Sequence, residues 1–339
     1  MAKEDTPQIS DSIRAQSATI LQQLKTALPN NADLASATNQ DVKISFFGTQ
    51  GFNKATFEVR VKDDHFILSV HKPEGKKKKH AHASIKNQRA LQKAWRDVGI
   101  PVPTMLGPEF TLHFDTNELP CELSEFCHGY QVKSFKDLSH TEINDLAHWL
   151  AKSHMLATTF KPDDANVPIE LAYRSLPYGL VHNDITPGNV IFKRDKTGVA
   201  GIIDFERARY RSLVYDLGRV AGRFLDVTYT PEQKFTIHLT PAYKEFIKSY
   251  LHERPLNSNE MGAIEKSAVY GVSRMCLSVY TETRRETYKD TSPPKGTVGE
   301  KVRLHVDIAQ ATLGFRGELH DFMRELKQEA AKGKSGAAR

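Results

Sequence analysis

The stretch that decides the fold reads LVHNDITPGNVIF over residues 180–192, and GIIDFE follows it over residues 201–206. Apolar residues that suit strands flank both stretches, so each polar group stands at the end of a strand. Asp184 precedes Asn189 by five positions and Asp204 by twenty. A Pro-Gly pair before the asparagine favours a tight turn that brings it back toward Asp184. The spacing therefore predicts that two carboxylates and one amide lie close together.

These are the groups that transfer of a γ-phosphoryl group requires. Asp184 is predicted to orient or deprotonate an acceptor hydroxyl, and Asn189 and Asp204 to offer oxygen ligands to Mg²⁺. The alternative is a hairpin in which the first two are turn residues and Asp204 caps the next segment. The joint spacing, with His182 before it and Asp216 after it, favours a phosphotransferase.

The same motifs resemble those of the aminoglycoside phosphotransferase superfamily. That group also includes choline kinases, type II homoserine kinases and a bacterial stress-response kinase, which this chain resembles around residues 70–73. The resemblance rests on residues 182–189, 203–208 and 215–218, and weaker agreement extends over most of the chain. It implies an α+β, two-lobed protein-kinase-like fold. The small lobe would be an antiparallel sheet with one long helix, and the larger lobe mainly helical.

The resemblance also implies two supporting roles. His182 would brace the catalytic loop, and Asp216 would anchor the following segment to that loop. The family usually has Gly where Asn183 stands and Trp or Phe at the position of Phe205, so the match is good but not perfect.

Candidate nucleotide contacts lie earlier in the chain. A loop with Gly48, Gly51 and Asn53 separates two strand-like runs, and its glycines would let backbone N–H groups approach phosphates. Two glycines in a hairpin, taken alone, indicate only a turn. By resemblance to the family hinge, backbone groups from Glu125 to Cys127 would hydrogen-bond an adenine edge.

One departure from the family concerns the cation that holds the phosphates. Aligning the strand over residues 66–73 puts Ser69 where the family has Lys or Arg, and Gln88 stands where its partner should be Glu. A Ser–Gln pair carries no charge to offset a triphosphate. Three explanations stay open: Lys54 or Lys72 supplies the cation, the alignment is shifted, or the nucleotide site is weakened.

Length and composition agree with a two-lobed enzyme. The 339 residues are 39% hydrophobic, and 47 basic against 41 acidic residues give a net charge of +6. Three cysteines without paired spacing argue against a disulfide framework. The first residues lack the apolar core of a signal peptide, and no apolar run is long enough for a membrane span. We therefore expect a cytoplasmic protein with no membrane partner. The basic run at residues 76–79 has no interleaved aromatic residues, which argues against nucleic acid.

We predict four segments along the chain. Residues 1–40 form a helix and a polar connector, and residues 41–129 form the nucleotide-binding small lobe with its hinge. Residues 130–325 form the catalytic and acceptor-binding large lobe. The composition of residues 326–339 predicts a disordered tail.

The leading hypothesis is an Mg²⁺-dependent kinase that uses ATP, with GTP as an alternative, and phosphorylates a hydroxyl of a small-molecule acceptor. The second is a catalytically weak or inactive protein that binds nucleotide as a regulator or scaffold, motivated by Ser69 and Gln88. A protein Ser/Thr kinase that acts on a peptide or protein is the third. Against it, no A-P-E-like motif follows Asp204.

The acceptor is left open by the sequence. The region from 268 to 291 contains Arg274, Arg284 and Arg285 among acidic residues. This mixture is typical of an exposed helix face. The three guanidinium groups could equally receive an acceptor that carries carboxylate or phosphate.

Overall fold

The computed structural model describes residues 13–47, 54–71, 85–114, 117–159, 176–230, 234–287 and 298–336. Four of the predicted nucleotide contacts lie outside these residues: Gly48, Gly51, Asn53 and Lys72. The chain divides into two compact units. The first comprises Met1–Ala81 and Val102–His128, and the second His82–Pro101 and Gly129–Arg339.

A five-stranded antiparallel sheet forms most of the first unit. Its strands are β1 (Val42–Phe46), β2 (Lys54–Val61), β3 (Asp64–His71), β4 (Met105–Phe114) and β5 (Asn117–Glu125), in the order β1-β2-β3-β5-β4. Among the described residues, the helices α1 (Ser17–Ala27) and the short α2 (Ala32–Ser36) accompany it. Alternate residues such as Phe66, Leu68 and Val70 of β3 are buried, so one sheet face builds the core together with Ile20 and Leu24 of α1.

The second unit is mainly helical. Its helices are α3 (Ile85–Asp97), α4 (His140–Ala157), α5 (Leu213–Ala221), α6 (Pro241–Glu253), α7 (Ser258–Thr287) and α8 (Val298–Gly336). Three antiparallel strand pairs complete it: β6 (Tyr178–Val181) with β9 (Arg209–Ser212), β7 (Val190–Phe192) with β8 (Val199–Ile202), and β10 (Asp226–Tyr229) with β11 (Phe235–His238). The first two pairs frame the segment that carries the predicted catalytic residues.

Helices α5 and α7 cross with their backbones in contact, because glycines line the crossing. A Cβ atom on Gly218 would lie 2.4 Å from the carbonyl oxygen of Ser267, and one on Gly271 would lie 2.2 Å from the carbonyl oxygen of Gly218. Any larger residue at these positions would force the helices apart. The crossing therefore fixes which side chains of α7 come near those of α5.

The predicted α+β fold with its antiparallel sheet is confirmed. The sequence predicts α3 as part of the small lobe, whereas its residues pack with the second unit. The ring of Trp95 lies 5.1 Å from that of Phe205, and both side chains are fully buried. This aromatic contact accounts for the difference, because it attaches α3 to the segment that follows β8.

Two further features concern the helices. Helix α8 continues to Gly336, whereas the composition predicted a disordered tail from residue 326. Residues 325–332 are strong helix formers, and the buried Leu326 adds tertiary contact. In the described part of the chain, no helix combines the length and the apolar character that crossing a bilayer requires.

Candidate active site

The carboxylate of Asp184 lies in the segment between β6 and β7 and has three polar neighbours. Arg219 Nη2 donates to Oδ1 at 2.9 Å, and Arg207 Nε lies 3.6 Å from Oδ2. The side-chain nitrogen of Asn189 donates to the Asp184 backbone oxygen at 2.9 Å and reaches Oδ2 at 3.4 Å. The predicted return of Asn189 toward Asp184 is thus present, and two guanidinium groups that the sequence did not indicate join them.

Asn183 accounts for one departure from the family. Its φ angle is +61°, in the left-handed region where Gly is favoured and Asn is the most tolerated alternative. The side chain is also used, since Nδ2 donates to the Arg207 oxygen at 3.1 Å and Oδ1 accepts from Arg211 at 2.6 Å. Asparagine therefore supplies the conformation that a glycine would give and adds two hydrogen bonds.

Ile203 ties the segment that carries Asp204 to the catalytic loop. Its N–H donates to the Asn189 oxygen at 3.0 Å, and its oxygen accepts from His182 Nε2 at 2.9 Å. Asp204 follows directly with a left-handed φ of +67°. These bonds bring Asp184, Asn189 and Asp204 into one region of the second unit, as the spacing predicted.

His182 is fully buried and acts as a brace between the two segments. Because Nε2 faces a carbonyl oxygen, it must carry the proton, and Nδ1 then accepts the Asp184 N–H at 3.3 Å. Burial lowers the pKa of His182 and keeps the ring neutral. This geometry suits a positioning residue, which orients the backbone on which Asp184 stands.

Asp216 hydrogen-bonds α4, the helix before the catalytic loop. Its Oδ2 accepts from His154 Nε2 at 3.1 Å, and His154 Nδ1 accepts from the hydroxyl of Tyr250 at 2.7 Å. Tyr250 in turn accepts from Arg254 at 3.2 Å, and Arg254 pairs with Glu260 at 2.7 Å. Burial is the largest effect and acts to raise the pKa of Asp216, but the hydrogen bond from His154 and the nearby positive charges of Arg219 and Arg211 together outweigh it and hold the pKa below its ordinary value. This buried chain joins α4, α5, α6 and α7.

Asn189 and Asp204 are chemically suited to Mg²⁺, which prefers oxygen ligands. The nitrogen of the Asn189 amide is bonded to Asp184, so its oxygen is the end left for a metal. Among the described residues, no group of three or more His, Cys, Asp or Glu side chains could enclose a metal ion. A magnesium ion here would depend on phosphate oxygens and water for its remaining ligands, which is its usual mode of binding in kinases.

The first unit carries the predicted phosphate position, Ser69, on the face of β3 that points away from the core. The register pairs Lys54 with His71, so alternation puts both on the same face as Ser69. His71 Nε2 contacts Glu122 Oε2 at 2.9 Å, and both side chains are largely buried. Sequence reasoning missed this contact because it depends on the pairing of β3 with β5.

The hinge residues end β5 in the first unit. The N–H of Glu125 donates to the Thr104 oxygen at 2.9 Å, so it is already engaged. Burial raises the pKa of Cys127 to about 11, which leaves its thiol neutral. An aromatic cluster that the sequence did not indicate lies here, with ring centroids between 4.9 and 5.8 Å apart: Phe47, His65, Phe126 and His128. Gln88, by contrast, lies buried on α3 in the second unit.

Comparison with known proteins agrees with this fold. The model of the phosphotransferase enzyme family matches residues 155–234. A homoserine kinase from Beijerinckia indica subsp. indica is 30% identical over 105 residues, which cover 31% of this chain and 30% of that protein. One from Rhodopseudomonas palustris is 35% identical over 103 residues, which cover 30% of this chain and 29% of that protein. Both matches span less than a third of the curated relative's own length.

Solved structures extend the likeness to most of the chain. The amicoumacin kinase hAmiN, in complex with AMP-PNP, Ca²⁺ and Ami, aligns with a TM-score of 0.56 at 12% identity, over 81% of this chain and 89% of that one. A microcompartment-associated aminopropanol kinase aligns with a TM-score of 0.54 at 12% identity, over 87% of this chain and 95% of that one. These likenesses confirm the protein-kinase-like fold.

Proposed function

We propose that this chain, a relative of the small-molecule phosphotransferases, transfers the γ-phosphoryl group of ATP to a hydroxyl of a small-molecule acceptor. The observation that carries the proposal is the linkage at Ile203, which fixes Asp204 next to the loop of Asp184 and Asn189. An arrangement of this kind meets the needs of phosphoryl transfer, which depends on positioning and on neutralising charge.

Each residue has a stated role in the reaction. Asp184 accepts the proton of the acceptor hydroxyl, and the hydroxyl oxygen of the acceptor bonds to the γ-phosphorus. The bond from the γ-phosphorus to the β–γ bridging oxygen breaks, so that ADP leaves. Asn189 and Asp204 would hold Mg²⁺, which when bound offsets the charge on the phosphates. His182 keeps the loop in place through its two ring nitrogens.

The nucleotide side of the proposal rests on the first unit. The backbone oxygen of Glu125 and the backbone groups as far as Cys127 would hydrogen-bond the purine ring of the nucleotide, which is ATP or GTP. Lys54 shares the face of Ser69, and we assign to it the charge that Ser69 lacks. The predicted contacts with the nucleotide phosphates stay assigned to Gly48, Gly51, Asn53 and Lys72. Gln88 stays assigned to the position that is Glu in the family.

The test compares Asp184→Asn and Asp204→Asn with Asp321→Asn, a control on the exposed surface of α8. Nucleotide binding is measured by calorimetry with and without Mg²⁺, and turnover by ADP release in the presence of acceptors. Asp184→Asn should lower kcat by about 10²- to 10⁴-fold and keep Mg-ATP binding, since a general base contributes about that much. Asp204→Asn should weaken the metal-dependent binding, and the control should match the wild type.

Two outcomes would contradict the proposal. Wild-type turnover by Asp184→Asn would remove the assignment of the base. If the folded protein bound neither ATP nor GTP, the regulator or scaffold hypothesis would replace the kinase.

A further inference from the structure

Three arginines converge beside the proposed base, and we call them the arginine cluster: Arg219, Arg223 and Arg274. The first two are four residues apart, so they project from the same side of α5 and the 3₁₀ turn that follows it. Arg274 belongs to α7, which the glycine crossing holds against α5. The cluster is thus part of the rigid helical frame of the second unit.

The contacts of the cluster leave it rich in positive charge. Arg219 bonds Asp184 at 2.9 Å. The half-buried Arg223 donates to the sulfur of Met275 at 3.3 Å, a weak acceptor, and forms no ion pair with any residue that the structure describes. Arg274 is exposed and forms no ion pair within the same described residues.

Electrostatics show that these side chains share one environment. Burial lowers the pKa of Arg223, and the positive charges of Arg219, Arg274 and Arg207 lower it further, against the opposing effect of Asp184. At Arg223 the carboxylate of Asp184 opposes three neighbouring guanidinium charges, and Arg219 is shared with a second carboxylate, that of Asp216. Repulsion among like charges and the partial burial of one of them disfavour this arrangement unless a further anion completes it.

We propose that the arginine cluster binds an anionic group of the acceptor, a carboxylate or a phosphate, and thereby presents the acceptor hydroxyl to Asp184. This inference rests on the proposed function, because it takes Asp184 as the base. Guanidinium groups bind both anions through paired hydrogen bonds, and the position of Arg219 joins that recognition to the reacting end. The acceptor class is then a hydroxy acid or a phosphorylated alcohol, in contrast to a cationic amino alcohol.

A binding experiment tests the cluster without requiring turnover. The full-length protein, saturated with Mg-AMP-PNP, is titrated by calorimetry with inorganic phosphate and, in a separate arm, with malonate. The arm with the tighter binding identifies the anion. Arg223→Gln should weaken that binding by about tenfold or more, since it removes a charged hydrogen-bond donor. Arg223→Lys keeps the positive charge and loses the paired N–H donors of the guanidinium group. Its affinity for the anion should lie between those of the wild type and Arg223→Gln.

Two further variants keep the result interpretable. Arg324→Gln, a control on exposed α8, should bind the anion as the wild type does. If Arg223→Gln fails to fold, Arg274→Gln carries the test, since its side chain is exposed. Equal affinity in the wild type and the cluster variants, or no binding of either anion, would overturn the inference.

Turnover then separates this inference from the proposed function. Acceptors are offered in pairs that differ only in the anionic group, such as glycerate and glycerol, or a sugar phosphate and its sugar. Arg223→Gln should raise KM for the anionic member by about tenfold or more, with a smaller change in kcat and none in KM for ATP. A raised KM for ATP alone would assign the cluster to the nucleotide and overturn the inference. Anion binding by the cluster without any kinase activity would defeat the proposed function and keep the anion site.

Discussion

Asn183 adopts a backbone conformation that most residues with a side chain avoid, directly before the proposed base. Its side chain accepts from Arg211 and donates to the Arg207 oxygen, so the residue ties both arginine segments to the loop. The identity of this residue therefore affects stability in two separable ways, through the φ angle and through its hydrogen bonds.

Variants of Asn183 should show both effects. Asn183→Gly keeps the positive φ and loses the two hydrogen bonds, while Asn183→Ala loses them and adds the strain of a left-handed alanine. That strain is about 1 kcal/mol, so the alanine variant should be less stable than the glycine variant by about this amount. The free energy of unfolding in urea measures the difference. An alanine variant as stable as the glycine variant would show that the backbone relaxes at this position.

Single elements explain why the sequence revealed some site residues and not others. Asp184, Asn189 and Asp204 could be predicted because their spacing is local and the strands beside them leave little freedom. Arg219 and Arg223 follow the motif that contains Asp216, but nothing local shows that they face Asp184. Their placement depends on the crossing of α5 and α7, and residues far apart in the chain determine it.

The crossing itself can be tested with two glycines on α5 and α7. Gly218→Ala should destabilise the protein by about 1–3 kcal/mol, because its Cβ would lie 2.4 Å from the Ser267 oxygen. Gly262→Ala on α7 is the matched control, since a Cβ there meets nothing within 4 Å. The control should leave stability unchanged or raise it by up to about 1 kcal/mol, as alanine favours helices. Urea denaturation of both variants measures this, and equal stabilities would show that the helices can separate without cost.

The whole molecule combines a sheet unit and a helical unit. The fold class could be predicted because the motifs around Asp184 and Asp204 resemble a family that has this fold. The hydrogen bonds that link the helices could not be predicted, because they join side chains that are distant in sequence. The buried chain from Glu260 through Arg254, Tyr250 and His154 to Asp216 connects four helices. The net charge of +6 is consistent with an anionic acceptor, because a positive surface attracts anions from solution.

This buried chain should make stability depend on pH. Burial lowers the pKa of His154 from the ordinary value of 6.5, so the unfolded chain takes up a proton at a pH where the folded protein does not. The unfolded state then binds more protons, and the free energy of unfolding must fall as the pH drops below about 6.5. The loss is about 1.4 kcal/mol for each pH unit until the folded protein also protonates. The pKa of Asp216 lies below its ordinary value of 3.8, so that group contributes only at lower pH.

Urea denaturation between pH 8 and pH 4.5 would isolate the effect of His154. His154→Gln should be less stable than the wild type at pH 8, because it disrupts the hydrogen bonds to Asp216 and Tyr250. Its stability should then fall less steeply on acidification, since glutamine takes up no proton, so the two curves converge toward acid. His238→Gln, a control on the exposed surface of β11, should follow the wild-type curve. Parallel curves for His154→Gln and the wild type would mean that His154 is protonated in the folded protein at the same pH as in the unfolded chain. The assignment of a neutral His154 ring in this network would then be wrong.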